Sequence, residues 1–131
     1  MHAIRRFYEL PAELRPDPKD CIFLCTHEPC SLCLSAITWT GFDNFYFLFS
    51  HEDSRDAFAI PHDLKILKEV FGLEPGGYSK SNAFWNCFSL PEMAAAEGLV
   101  SVHFVNAAGS ILVAPFGGVD RRFSTAPFCV G

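Results

Sequence analysis

The sequence of 131 residues has no cluster of basic side chains, and its adjacent basic pairs are Arg5-Arg6 and Arg121-Arg122. It contains 10 Lys and Arg against 15 Asp and Glu, which gives a formal net charge of −5. A protein that binds nucleic acid generally carries a basic patch that contacts phosphates. The charge balance therefore disfavours a nucleic-acid partner.

The sequence also lacks a secretory signal, since residues 1–15 carry several charged side chains and no apolar core segment. Residues 98–119 contain no Asp, Glu, Lys or Arg, but Pro115 and Gly117-Gly118 interrupt this stretch. It is more typical of a buried hairpin than of a membrane span. The 6 cysteines are too few for a disulfide scaffold. We expect reduced thiols, a cytoplasmic location and no membrane partner.

Apolar side chains, by contrast, are abundant. Half of the residues are hydrophobic and 15% are aromatic, with 14 Phe. This composition excludes an intrinsically disordered chain, and the length suits one packed domain. We therefore predict a single domain over residues 1–131.

Hydrophobic patterns predict strands that alternate with helices. Helices are expected over residues 3–10, 30–40, 64–71 and 90–97, strands over 21–26 and 45–49, and a hairpin over 100–114. The run at 21–26 is continuously apolar, which is typical of a strand covered on both faces. Asp63 is expected to cap the helix that follows it. The order of elements predicts parallel pairing in an α/β domain.

Cys30 and Cys33 form the most informative pattern, a CxxC pair between a predicted strand and a predicted helix. The first turn of a helix favours thiolates through its dipole and unpaired N–H groups, and thiolates are good zinc ligands. A CxxC pair alone is compatible with a metal site, a redox pair or two buried cysteines. A zinc ribbon would need a second CxxC, which the other cysteines do not supply.

The segment THEPCSLCLSAITWTGF resembles the EPCxxC-L-x-A-I-x-W segment of the cytidine deaminase superfamily, and is closest to the branch of guanine deaminases and tRNA adenosine deaminases. The DCIFLCT and FYFLF segments flank it in the order of that family. AIRRFYEL resembles the helix that begins, in that family, with a zinc-binding His-x-Glu. The resemblance covers residues 3–75. It implies a three-layer α/β/α fold with a mixed sheet, with the family's first helix and first two strands absent from this sequence.

The resemblance also implies a zinc-dependent hydrolytic deaminase of a nucleobase, nucleoside or nucleotide. Cys30 and Cys33 would bind Zn²⁺ with a His, and water would take the fourth position. A Glu would transfer the proton while ammonia leaves. The family commonly forms dimers or larger assemblies, so a homo-oligomer is expected.

The family's His-x-Glu is absent, and two alignments compete. In the first, His2 is the zinc ligand, but Ile4 then occupies the position of the catalytic Glu. In the second, which fits AIRR better, the His and Glu would lie immediately before Met1. Neither alignment identifies a catalytic residue in this chain, so we expect it not to be competent alone. The alternatives are a non-catalytic deaminase-fold protein with a structural zinc and a thiol–disulfide protein that uses Cys30 and Cys33.

The remaining candidate residues surround the CxxC pair in sequence. His27 is a candidate for lining the substrate pocket, although a hydrogen-bonded or solvent-facing histidine is favoured over this role and zinc binding is the least favoured. Glu28 is expected to accept backbone N–H groups rather than to act as the general base. His51 and His62 lie in acidic segments and are interpreted as surface residues. Trp39 is interpreted as a packing residue.

Overall fold

A computed structural model describes residues 1–99, 101–105 and 111–115 of the chain. In chain order its elements are α1 (His2–Tyr8), a 3₁₀ turn (Pro18–Asp20), β1 (Leu24–His27), α2 (Ser31–Trp39), β2 (Asn44–Phe49), α3 (His51–Phe58), α4 (His62–Phe71), β3 (Asn86–Ser89), α5 (Leu90–Ala96), β4 (Ser101–Val105) and β5 (Ile111–Pro115). None of the helices in these residues is long and apolar enough to cross a membrane.

The first sheet has the strand order β1-β2-β3, and both of its pairings are parallel. Leu24 is opposite Tyr46 in one pairing, and Phe45 is opposite Cys87 in the other. β4 and β5 form a separate antiparallel pair. The predicted parallel pairing, the predicted hairpin strands and the α/β class are therefore confirmed. The predicted turn over residues 106–109 lies outside the described residues, and the three-layer arrangement stays a prediction.

The core lies around β2, because this strand has a neighbour on each side. Phe45, Phe47, Leu48 and Phe49 of β2 are all buried, and Phe45 is fully so. Helices α1, α2 and α4 add the buried side chains Ile4, Leu34, Ile37 and Leu67. Burial of apolar side chains is the main favourable term in folding, so β2 anchors the domain.

The prediction that residues 21–26 form a strand covered on both faces is wrong. The strand begins later, at Leu24, and its residues alternate between exposed and half-buried. Leu24 is 51% exposed and Ile22 is 76% exposed. Successive side chains of a strand point to opposite faces of the sheet, and one of the two faces of β1 is exposed.

The predicted helix boundaries are largely confirmed, but one predicted cap is wrong. Ser89 caps α5 and accepts a hydrogen bond from the backbone N–H of Glu92 at 3.3 Å. Asp63 does not cap α4, because the helix begins two residues earlier than predicted, at His62, with Pro61 as its N-cap. Asp63 instead lies in the first turn, where a carboxylate interacts favourably with the helix dipole.

The interpretation of His51 as a surface residue is wrong, and the helix α3 that it begins was not predicted. Ser50 and Asp53 form a reciprocal capping box: the Ser50 hydroxyl accepts from the Asp53 N–H, and the Asp53 carboxylate accepts from the Ser50 N–H. This box turns the chain directly after β2, so the first residue of α3 faces inward. His51 is only 2% exposed. His62, in contrast, is exposed at the start of α4.

The interpretation of Trp39 as a packing residue is also wrong, since Trp39 is 90% exposed. Leu34 and Ile37 direct one face of α2 toward the core. Residues of a helix are separated by about 100° each, so Trp39 falls on the opposite face.

Candidate functional site

The carboxyl ends of β1 and β2 lie side by side, because the two strands are parallel neighbours. Glu28, Pro29 and Cys30 directly follow β1, and Ser50 and His51 directly follow β2. The backbone N–H of Glu28 donates to the carbonyl of Phe49 at 2.7 Å and extends the pairing beyond the strand. Ligands of open α/β sheets bind at this edge, which makes it the candidate site.

Cys30 is the N-cap residue of α2, and Cys33 lies in the first turn. The carbonyl of Cys30 accepts the first helical hydrogen bond, from Leu34 N–H at 2.8 Å, while its side chain makes no capping bond. Both side chains are half-buried and neither forms a disulfide. Burial raises the pKa of the Cys33 thiol, and the neighbouring Cys30 thiol raises it further by charge and by a hydrogen bond. The Cys30 and Cys33 thiols therefore lie close enough to influence each other.

The beginning of α1 lies at the same thiol pair. The N-terminal amine of Met1 acts on Cys33 through its charge and a hydrogen bond, and both lower the pKa of that thiol. Met1 is the N-cap of α1, whose buried Ile4 packs into the core with Ile37 of α2. Packing between α1 and the core thus brings the start of α1 against the start of α2.

A third metal ligand is not supplied by the described residues. Among residues 1–99, 101–105 and 111–115 there is no group of three or more His, Cys, Asp or Glu side chains that could hold a metal ion. His2 is exposed, and it is not brought into such a group with Cys30 and Cys33. Cys25 of β1 is near Cys33, and burial followed by the Cys33 charge raises its pKa to about 12. The thiol pair fits two of the ligand positions of a zinc ion.

His27 ends β1 inside a small aromatic cluster. Its ring lies 5.2 Å from that of Phe49 and 5.2 Å from that of Phe58. Burial lowers the pKa of His27, although the charges of Asp53 and Asp63 oppose this effect. His27 is therefore a largely neutral ring at the carboxyl edge of the sheet. Its predicted role in lining a substrate pocket stays a prediction.

Glu28 is buried at the centre of a polar cluster that was not foreseen from the sequence. One of its carboxylate oxygens accepts from the backbone N–H of His51 at 3.1 Å, and the other pairs with the Lys80 ammonium. Glu28 does accept a backbone N–H, but the donor is His51 of α3 and not a residue of its own turn, as was predicted. Burial raises the pKa of the nearby Tyr78 hydroxyl, and the Glu28 charge adds to this effect.

A cavity of about 180 Å³ lies beyond the end of β3. Its walls combine apolar and polar side chains from β2, β3, α5 and the segment before β3, namely Phe47, Lys80, Cys87, Phe88, Ser89, Glu92 and Met93. Burial raises the pKa of Cys87 to about 11, so this thiol is protonated at neutral pH. Pockets that bind small molecules generally measure about 300–1,000 Å³, and the cavity is not assigned as the substrate site.

No family model and no solved structure match the chain. Over 39 residues it is 59% identical to hydroxycarboxylate dehydrogenase B of Escherichia coli K12, and the match to the same protein of Escherichia coli O157:H7 is identical in extent. The match covers 30% of this chain and 11% of the dehydrogenase. The chain therefore spans about a ninth of the length of these relatives, and the similarity is local.

Proposed function

We propose that this chain belongs to a zinc-dependent hydrolytic deaminase that acts on a nucleobase, nucleoside or nucleotide. The proposal also includes a cytoplasmic location and assembly into a homo-oligomer, both of which follow from the sequence arguments above. Substrate and product would be small molecules, since the net charge of −5 disfavours nucleic acid.

One observation supports the proposal: the Met1 amine and the Cys30 thiol both influence the pKa of the Cys33 thiol, so the beginning of α1 lies near the thiol pair at the beginning of α2. The resemblance to cytidine deaminases requires the start of one helix, with its His-x-Glu, to meet the PCxxC start of another. The nearness of the beginnings of α1 and α2 agrees with this requirement.

In this proposal Cys30 and Cys33 bind the zinc ion as thiolates. The bound ion would supply an activated water molecule as the nucleophile. Both cysteines are at the N-terminus of α2, whose dipole stabilises their negative charge. Neutral His27 and the partly exposed Phe58 ring would offer an apolar surface for a planar base at the same edge of the sheet.

Glu28 is a poor candidate for the missing general base. Its carboxylate is buried, accepts from His51 N–H and pairs with Lys80, so both oxygens already have partners. A general base must reach the proton that it abstracts. The proposal therefore assigns the proton transfer to a Glu outside the described residues.

A thiol–disulfide function is the second candidate, because the Cys30 and Cys33 thiols lie close enough to influence each other. Thiol–disulfide exchange and zinc binding both need a thiolate, so the raised pKa of Cys33 does not separate the two functions. The resemblance of the segment that contains Cys30 and Cys33 to cytidine deaminases is what favours the metal site. The segment shared with the dehydrogenase supports no activity of its own, because 39 residues are too few to fold alone.

The experiment that tests the proposal adds the tripeptide His-Ala-Glu before Met1. We expect the extended, zinc-loaded chain to release ammonia from at least one member of a panel of free bases, nucleosides and nucleotides. The matched control carries His-Ala-Gln, which keeps the zinc ligand but removes the base. We expect its rate to be lower by about 10²–10⁴-fold.

Equal rates for the two extensions, or zinc binding that the added His does not strengthen, would contradict the proposal. Zinc binding to both extended chains without ammonia release from any substrate would favour the non-catalytic alternative. A Cys30–Cys33 disulfide without zinc binding would favour the thiol–disulfide alternative.

A further inference from the structure

We propose that His51 is a positioning residue that fixes the turn carrying Cys30, and thereby the geometry of the Cys30 and Cys33 thiol pair. The inference rests on the proposed function only in assigning a task to this pair. Nothing in the sequence pattern pointed to His51, because α2 and β2 separate it from Cys30 in the chain.

His51 contacts two consecutive residues of the turn that precedes α2. Its backbone N–H donates to the Glu28 carboxylate at 3.1 Å. Its ring Nε2 lies 3.2 Å from the carbonyl oxygen of Pro29. A carbonyl oxygen can only accept, so Nε2 carries the hydrogen and donates it.

The Pro29 carbonyl belongs to the peptide group that joins Pro29 to Cys30. The imidazole hydrogen bond therefore holds the peptide group directly before the first cysteine. Cys30 makes no side-chain capping bond that would fix its own conformation. Pro29 has no N–H with which to anchor the turn. The Nε2 hydrogen bond is therefore the side-chain contact that holds the peptide between Pro29 and Cys30.

The imidazole is itself rigidly held. His51 is 2% exposed, its ring packs edge-on against Tyr78 at 6.1 Å between centroids, and the Ser50–Asp53 box fixes the helix start on which it lies. Lys80 anchors the other side of Glu28. A side chain held in this way can keep the residues that it contacts in a fixed position.

The test measures the equilibrium between the Cys30–Cys33 dithiol and its disulfide in mixtures of reduced and oxidised glutathione. The two thiols lose two protons and two electrons, and glutathione disulfide is reduced to two glutathione thiols. The equilibrium constant depends on how well the two sulfur atoms are held near each other, and it involves no metal. Alkylation and mass spectrometry of the peptide that contains both cysteines provide the readout.

Three variants of the full chain separate positioning from general destabilisation. His51→Leu removes the donor, His51→Gln keeps an amide donor near the place of Nε2, and His62→Leu changes an exposed histidine at another helix start. We expect His51→Leu to lower the equilibrium constant by about tenfold, which is about 30 mV in the potential. His51→Gln and His62→Leu are expected to stay within about threefold of the parent chain.

A folded His51→Leu chain with an unchanged equilibrium constant would overturn the inference. An equilibrium constant that falls as far in His51→Gln as in His51→Leu would also overturn it. If the leucine variant does not fold, His51→Asn replaces it, because its shorter amide cannot reach the Pro29 carbonyl. Asn and Gln variants that behave alike would then contradict the positioning role. Failure of zinc binding or deamination in the parent chain leaves this measurement intact, so the two proposals fail separately.

Discussion

β1 and β2 come from similar apolar segments, CIFLCT and FYFLF, yet they differ in their position in the sheet and in their burial. β2 pairs with a strand on each side and buries Phe45 completely, whereas β1 lies at the edge and leaves Leu24 51% exposed. The local sequence indicates that both segments are strands. Which of them lies at the centre depends on pairing with β3, which comes about forty residues later in the chain.

The largest expected effect comes from truncating the centre of β2. Phe45→Ala removes a fully buried ring that packs with Leu34, Ile37 and Leu67 in one core cluster. We expect a loss of about 3–5 kcal/mol in the free energy of unfolding, because a cavity replaces the ring. Urea denaturation followed by circular dichroism measures it, and a loss below about 1 kcal/mol would contradict the central role of β2.

A smaller effect is expected from the matching change in β1. Leu24→Ala truncates a side chain that is already half in water, so the free energy of unfolding should fall by less than about 1 kcal/mol. The same urea titration compares it directly with Phe45→Ala. A loss as large as that of the β2 variant would show that the exposed face of β1 is covered in the protein.

The smallest expected effect is a pH dependence where the two strands end together, at His27 and Phe49. Burial lowers the pKa of His27 below its ordinary value of 6.5. Between the lowered and the ordinary value the unfolded chain binds more protons than the folded chain, so stability falls as the pH falls through this window. As the pH falls from about 7.5 to about 5.5, the free energy of unfolding of the parent chain should therefore decrease more than that of His27→Gln. A shift in the opposite direction would contradict the burial of His27.

Much of the fold follows from local patterns. The continuous apolar segments, the Gly41 stop after α2 and the Ser89 cap of α5 all predict elements that the structure contains. α3 was missed because HEDSRDAF is polar, although the Ser50-x-x-Asp53 spacing is the signature of a capping box. β3 was missed because its four residues include Asn86 and Ser89, and only pairing with β2 makes them a strand.

Some contacts of the candidate site could likewise be predicted from the local sequence, and others could not. The contact between Cys30 and Cys33 could be predicted, since residues separated by three positions at a helix start lie on one side. The contacts of Glu28 with His51 and Lys80 could not be predicted. They join residues 23 and 52 positions apart, which only the parallel sheet brings together.

The central claim is that Cys30 and Cys33 hold a metal ion, and titration of the reduced chain with cobalt(II) in place of zinc tests it most directly. With His-Ala-Glu added before Met1 to supply the third ligand, the chain is predicted to bind about one cobalt ion and to develop thiolate-to-metal charge-transfer absorption, while its Cys30→Ser and Cys33→Ser variants lose this absorption and Cys21→Ser retains it. An absorption that persists in both site variants, or that never develops in the extended chain, would contradict the claim.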